Sequence, residues 1–282
     1  MGAPIPDAAS PAPMPERAPD FPAVRRLHSQ GVLILGGGRA LLMQVAHPLV
    51  ARGVAEHSGY REDRLGRLLG TLRPMYAIAF GTPEEARHAA ESVRAAHRFV
   101  VGEGYSADDE ELQRWVLATL IDTSLITYRR FVGPIPAVTV AAYYREMCQL
   151  GEWIGLPAAA MPATVDVFES YMHAMVRSVE VTDAARQIAS DLFAPLPDAP
   201  WLSPAMPLMR ELTAGLLPRR LREAYGLSWG RRRARTLVAA ERLSRAVLPH
   251  LPERLVAPPG LVMPRSWSTG RRFDSAHAPA EQ

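Results

Sequence analysis

The spacing of the apolar residues constrains the fold of this chain more than any other feature. From Arg39 to Leu248, apolar side chains recur mainly three or four residues apart, which places them on one face of successive α-helices. The alternation of apolar and polar residues that is typical of strands is almost absent. We therefore predict an all-α fold, a single-domain bundle of roughly eight or more helices.

Capping residues locate several helix ends. Thr82, Pro83 and the two acids that follow predict a helix that begins at Pro83 and runs to about Val101. A later run of four acids opens a helix that reaches Phe131, and an earlier long helix is expected to kink at Pro48. Further helices are expected over residues 65–76, 136–154, 164–179, 182–193, 205–216 and 231–248.

Proline-rich composition sets the limits of the domain. Residues 1–22 contain seven prolines, and proline lacks the amide proton that regular structure needs. The C-terminal stretch likewise lacks periodic apolar residues. We predict a disordered tail over 1–22, a helical domain over 23–257 and a second tail over 258–282.

Composition excludes several classes of function. Cys148 is the only cysteine and lysine is absent, which excludes a disulfide framework, a cysteine zinc site and a Schiff-base lysine. The motif HExxH is absent too. A formal charge of +3 gives no reason to expect nucleic-acid binding. No uncharged apolar run is long enough to predict a transmembrane segment.

Two N-terminal segments resemble motifs that they do not complete. Arg25 and Arg26 precede an apolar run in the manner of a twin-arginine export signal, but Arg39 interrupts that run and no cleavage site follows, so we expect a cytoplasmic protein. The segment Val32–Gly38 is glycine-rich, but no βαβ unit follows it. We interpret it as a turn that leads into a helix.

Arginines cluster near the C-terminal end of the predicted domain. The simplest interpretation is a solvated helix face, and contact with an anionic lipid surface or a partner is the alternative. Peripheral membrane contact or a homo-oligomer therefore remains open. The cluster comprises Arg219, Arg220, Arg222, Arg231, Arg232, Arg233 and Arg235.

His97 stands out among the eight histidines. Helical spacing places it on one face with Ala86, Ala90 and Val93, beside the core. Such a histidine is either a core residue with a hydrogen-bond partner or a ligand of haem iron. In the second case the other ring nitrogen would donate to the Val93 carbonyl, one turn back.

Arg67 and Thr71 are four residues apart and share a helix face. The arginine fork matches a carboxylate such as a haem propionate, and threonine adds a smaller donor. Taken alone, however, the two residues favour a surface salt bridge and a threonine that lines the helix.

Taken together, several segments resemble the catalytic domain shared by the MpaB oxygenase and the rubber oxygenases called latex clearing proteins. The likeness extends over about residues 30–250, and it depends on the order and spacing of the segments. They are GRALLMQVAHP at 38–48, RLGRLLGT at 64–71, FGTPEEA at 80–86, HRFV at 97–100, and WVLATL at 115–120 with its continuation to Tyr128.

The resemblance implies a globin-like helical core that holds haem b. It makes His97 the proximal iron ligand and places Arg67 and Thr71 beside the haem pocket. Gly70 stands where the rubber oxygenases have a lysine that can cap the iron. Because glycine cannot do so, the resemblance does not favour rubber as the substrate.

Three further kinds of residue are candidates for the pocket. His47 is our candidate for a catalytic residue, with capping or packing of its own kinked helix as the alternative. Glu56 is the nearest acid in sequence that could serve as a distal carboxylate. Flexible methionines could line an apolar pocket, namely Met43, Met75 and Met147.

These observations predict a haem-dependent oxygenase that uses dioxygen on a small hydrophobic substrate with alkene or terpenoid character. The first alternative is a haem-binding sensor or carrier without turnover, because histidine ligation is common to both classes. The second is a helical scaffold whose arginine cluster faces an acidic partner.

Overall fold

The computed structural model describes most of the predicted helical region. The predicted tails fall almost entirely outside it, as do the side chains of Arg67 and Thr71. The described ranges are 20–57, 64–195 and 200–252, without the side chains of 64–69, 71 and 202.

Twelve α-helices account for most of the described residues, so the all-α prediction is confirmed. They are α1 (Pro22–His28), α2 (Gly37–Gln44), α3 (Pro48–His57), α4 (Arg64–Phe80), α5 (Pro83–His97), α6 (Glu110–Phe131), α7 (Ala137–Trp153), α8 (Val165–Ser178), α9 (Asp183–Leu192), α10 (Met206–Leu216), α11 (Arg219–Ala224) and α12 (Arg231–Val247). Short 3₁₀ segments cover Gly31–Gly36, Ala158–Ala160, Pro200–Ala205 and Leu248–His250. Between α5 and α6, β1 (Val101–Gly102) pairs antiparallel with β2 (Tyr105–Ser106).

Helix α6 lies at the centre of the bundle, and α2, α7, α8 and α12 pack around it. Its local start is as predicted, since the Asp109 carboxylate caps the backbone amides of Glu111 and Leu112 at 2.9 and 3.1 Å. Trp115 is fully buried, and its indole nitrogen donates to the Gln44 carbonyl at 3.1 Å. This contact holds the C-terminal end of α2 against α6.

Helices α1 and α11 have no counterpart in the sequence-based prediction. Helix α1 depends on a distant residue, because the Glu146 carboxylate accepts from the amides of Ala23 and Val24 at 3.1 and 2.8 Å. Phe21, which the sequence analysis placed in the tail, is buried in the same core.

The long helix expected around Pro48 is divided into two. The 3₁₀ segment with α2 forms one limb, α3 forms the other, and the two limbs are bent by 109°. Proline disfavours the helical conformation in the residue before it, which is His47 here, and it has no amide to continue the ladder. The predicted kink is therefore a complete break.

The glycine-rich segment is a 3₁₀ turn that leads into α2, in agreement with its interpretation as a turn. Its glycines permit close packing of backbone against threonines: a Cβ at Gly36 would lie 2.5 Å from the Thr127 hydroxyl, and one at Gly38 would collide with Thr213. The segment thus has a packing role.

Arg39 is a buried anchor between three elements. Its residue exposure is 1%. The guanidinium donates to the Asp122 carboxylate and the Thr123 hydroxyl at 2.6 Å each, and to the Leu216 carbonyl at 2.9 Å. These bonds pair a charge that would be very costly to bury alone.

Within the described ranges, no single helix is long and apolar enough to cross a membrane. The bent pair of segments, 31–44 with 48–57, meets the length and composition criteria only when both are counted together.

Candidate functional site

Helices α4 and α5 form a tight antiparallel hairpin, which positions the candidate site. Only Gly81 and Thr82 join them, and the two helices pack along their length. The predicted start of α5 is confirmed as a reciprocal capping box: the Thr82 hydroxyl accepts from the Glu85 amide at 3.3 Å, and the Glu85 carboxylate accepts from the Thr82 amide at 2.7 Å. The buried face of α5 consists of Ala86, Ala89 and Ala90.

The sequence-predicted ligands Arg67, Thr71 and His97 lie on the two helices of this hairpin. Because the helices are antiparallel, the first turns of α4 lie beside the last turns of α5. Arg67 and Thr71 lie in the first half of α4, and His97 is the last residue of α5. The side chains of Arg67 and Thr71 lie outside the described part, so their predicted contacts with a propionate stay predictions.

Helix α5 ends four residues earlier than the sequence indicated, at His97 rather than Val101. The chain turns there into the β1–β2 hairpin, where Gly104 adopts a φ of +79°. Gly102 has no room for a side chain, because a Cβ would collide with the Tyr105 ring. The long-range packing of Tyr105 thus sets the end of the helix.

The imidazole of His97 faces the start of α6 rather than the backbone of its own helix. Its Nδ1 lies 3.4 Å from the Gln113 amide nitrogen and 3.8 Å from the Asp108 carboxylate. The expected bond to the Val93 carbonyl is therefore wrong. His97 closes the helix, so its ring reaches past the last turn to the next element. Its side chain is 26% exposed, at the edge of the core.

Two neighbours compete for the Nδ1 atom of His97. The Gln113 side-chain nitrogen has two N–H groups, and one donates to the Ala107 carbonyl at 2.9 Å. The other lies 3.4 Å from both the Nδ1 of His97 and the Asp108 carboxylate, so its bond to Nδ1 is long and weak. The Asp108 carboxylate instead favours a proton on Nδ1. In that tautomer the Nε2 lone pair is free, and among the described residues Nε2 has no hydrogen-bond partner.

Burial lowers the pKa of His97 below its usual value of 6.5, and the charge of Asp108 opposes this effect. The ring is thus held neutral at neutral pH, which is the form that can bind iron.

His47 lies in the turn between α2 and α3, at the same end of α6. Burial lowers its pKa, and the charges of Glu111 and Asp109 oppose the shift. Its Nδ1 is buried and, among the described residues, has no hydrogen-bond partner. The structure therefore places both candidate histidines around the acidic start of α6, with His97 near Asp108.

Gly70, on α4, opens onto free space. A Cβ built there would meet no heavy atom within 4 Å. The other suggested pocket residues are engaged elsewhere or belong to the core. Glu56 accepts a 2.5 Å hydrogen bond from the Tyr105 hydroxyl. Met43 and Met147 are fully buried in the main core, and Met75 packs against it.

Burial and the hydrogen bond to Glu56 raise the pKa of Tyr105 to about 12. Tyr105 is therefore a neutral phenol, and its hydrogen bond to Glu56 connects the β1–β2 hairpin to α3. Together with Asp108 and Gln113, it was missed by reasoning from the sequence. These residues follow His97 by 8 to 16 positions, and no local pattern indicates that they pack against the end of α5 or against α3.

Among the described residues, no group of three or more histidine, cysteine, aspartate or glutamate side chains could hold a bare metal ion. Haem differs from such sites because its porphyrin supplies most of the iron ligands, so that a single histidine can complete the attachment.

The profile of one protein family matches residues 25–247. It is described as the catalytic domain of the ER-bound oxygenase mpaB/B′ and the rubber oxygenase. The chain belongs to this family. The match covers the α4–α5 hairpin and the start of α6, so the whole candidate site lies within the oxygenase catalytic domain.

Two mycobacterial proteins are similar to this member of the family. One is from Mycobacterium tuberculosis and the other from Mycobacterium bovis, and both carry the name uncharacterized protein. Each is 28% identical over 228 residues, which cover 74% of this chain and 88% of the relative. No solved structure matches the chain at a significant level.

Proposed function

We propose that this protein is a haem b-dependent oxygenase for a small hydrophobic substrate with alkene or terpenoid character. The observation that carries the proposal is the His97 imidazole at the end of α5. It is neutral, it has a carboxylate beside Nδ1, and its Nε2 is free of described partners. Membership of an oxygenase family supports the reaction class.

The described residues fit a bound haem in three respects. First, His97 offers a neutral nitrogen ligand, and a carboxylate lies near its other nitrogen, the arrangement that orients metal-binding histidines. Second, the open surface at Gly70 leaves room beside α4. Third, the Nδ1 of His47 has no described partner, so it can accept a hydrogen bond from a molecule bound nearby or donate one to it.

Each residue then has a distinct role. His97 would bind the iron, and Asp108 would hold its ring in the tautomer with the proton on Nδ1. Arg67 and Thr71 would bind the propionates. His47 would hold a proton at Nδ1 beside the substrate. Haem would supply the binding of dioxygen and its activation for attack on a C=C or C–H bond.

The test is turnover by the haem-loaded protein. Dioxygen uptake should depend on a member of a terpenoid and polyene panel, and mass spectrometry should detect oxygenated or cleaved products. His97→Ala should abolish uptake. His88→Ala should not, because His88 is exposed on the same helix. Haem binding without uptake on any substrate would identify a sensor or carrier and overturn the oxygenase assignment.

A further inference from the structure

Helix α12 presents an exposed apolar stripe to solvent. Leu243 is 65% exposed, and Val238 and Val247 are about 40% exposed. Val238 and Leu243 belong to a row of residues that recurs at helical spacing along one side of α12, and Val247 follows this row. These stripe residues are Ala234, Arg235, Val238, Ala239, Arg242, Leu243 and Ala246.

The opposite side of α12 attaches it to the bundle. Leu237 is buried. Glu241 forms a 2.6 Å ion pair with Arg130 of α6, and the Ser244 hydroxyl donates to the Phe131 carbonyl at 2.8 Å. Since these contacts hold the helix in place, the stripe is a fixed feature of the surface.

The charge of α12 is almost entirely positive. Six of its 17 residues are arginines, and its single acid, Glu241, is already paired. No acid lies in its first turn, where the helix dipole is also positive. By contrast, α5 and α6 each carry two acids there. Within the described ranges, the guanidinium groups of four of the arginines have no hydrogen-bond or ion-pair partner, namely those of Arg231, Arg232, Arg235 and Arg242.

Charge decides between the possible occupants of the stripe. A second copy related by a twofold axis would bring Arg235 and Arg242 of one stripe against the same two arginines of the other stripe. Residues 253–282 of this chain carry four arginines against three acids, so they offer no complementary charge. An anionic bilayer offers both phosphates and an apolar layer. Arginine forks match phosphates, and their stems can extend past an inserted apolar stripe.

We propose that α12 docks this protein on membranes rich in anionic lipids, with its apolar stripe in the interface and its arginines on lipid phosphates. A basic amphipathic helix with exposed aliphatic residues binds bilayers in this orientation. The proposal is independent of haem. It also fits an enzyme whose hydrophobic substrate dissolves in lipid.

The test is flotation of the full chain with phosphatidylcholine vesicles that contain about one third phosphatidylglycerol, compared with phosphatidylcholine alone. We expect binding only to the anionic vesicles, weakening as salt rises. The double variant Arg235→Glu/Arg242→Glu should bind at least roughly tenfold more weakly. The matched control Arg87→Glu/Arg177→Glu changes the same net charge at exposed sites elsewhere and should bind much more strongly than the α12 variant.

Insertion of the stripe has its own readout. In a Cys148→Ser background, a polarity-sensitive fluorophore on Leu243→Cys should brighten and shift to the blue with anionic vesicles, and circular dichroism should be unchanged. Absence of vesicle binding would overturn the proposal, as would equal losses in both double variants. An unshifted fluorophore on vesicle-bound protein would refute insertion. A shifted fluorophore without vesicles would mean that the chain itself covers the stripe, which also overturns the proposal.

Discussion

The environment of His28 gives the folding stability a pH dependence that can be calculated. Its Nε2 lies 3.0 Å from the Tyr143 hydroxyl. The ring stacks on Tyr143 and meets Tyr76 edge to face. Burial lowers the pKa of His28 from 6.5 to about 4.

Between pH 6.5 and 4, the unfolded chain binds a proton at His28 that the folded chain does not. The stabilisation by the neutral His28 ring is therefore complete above pH 6.5. As the pH falls towards 4, the free energy of unfolding decreases, because protons stabilise the unfolded chain. At about 1.4 kcal/mol per pH unit, the loss amounts to roughly 3 kcal/mol. Other groups also titrate in this range, so the relevant quantity is the difference between the wild type and a variant without this imidazole.

The variant is His28→Phe, which keeps an aromatic ring between Tyr76 and Tyr143. Urea unfolding followed by circular dichroism should be measured at several pH values from 7.5 to 4. The wild type should lose roughly 3 kcal/mol more stability than His28→Phe over this range. If both proteins lose stability in parallel, the pKa of His28 is not lowered and the reasoning is wrong.

Three further predictions follow from the packing. Arg39→Met should lower the free energy of unfolding by about 3–5 kcal/mol in urea titrations, because it leaves the Asp122 carboxylate without its charged partner. A loss below 1 kcal/mol would contradict the role of Arg39 as a buried anchor. Gly36→Ala should cost about 1–3 kcal/mol through overpacking, because the new Cβ would clash with both the Thr127 hydroxyl and the Thr123 methyl. In the same chain, Thr127→Ser keeps the clashing hydroxyl and should not restore the loss, whereas Thr127→Ala should restore only part of it. Asp108→Asn should weaken haem binding roughly 10- to 100-fold in spectroscopic titrations, and unchanged affinity would mean that Asp108 does not orient His97.

Local signals predicted the helix starts well. Thr82 and Asp109 both cap helices with their own side chains, and the bonds that they form span only two or three residues. Both partners of such a contact lie next to the helix start in the sequence, so the contact can be predicted without knowledge of the fold. The all-α class followed for the same reason, because helical periodicity is a local property.

The features that the sequence did not predict depend on contacts between residues that are far apart in the chain. Helix α5 ends at His97 because the following chain folds back around Tyr105, which bonds to Glu56 on α3. Helix α1 was not predicted, because Glu146 caps its start from another helix. The partners of His97 likewise come from the start of α6. Neither the helical periodicity nor a capping residue near His97 indicates these partners.

The most direct test of the account is the visible spectrum of the protein after reconstitution with haem. Wild type and His88→Ala should bind one equivalent and show the same Soret band, because the exposed His88 is no ligand. His97→Ala should lose that band or shift it, and added imidazole should restore it. A His97→Ala protein with wild-type haem affinity and an unchanged Soret band would contradict the assignment of His97 as the iron ligand.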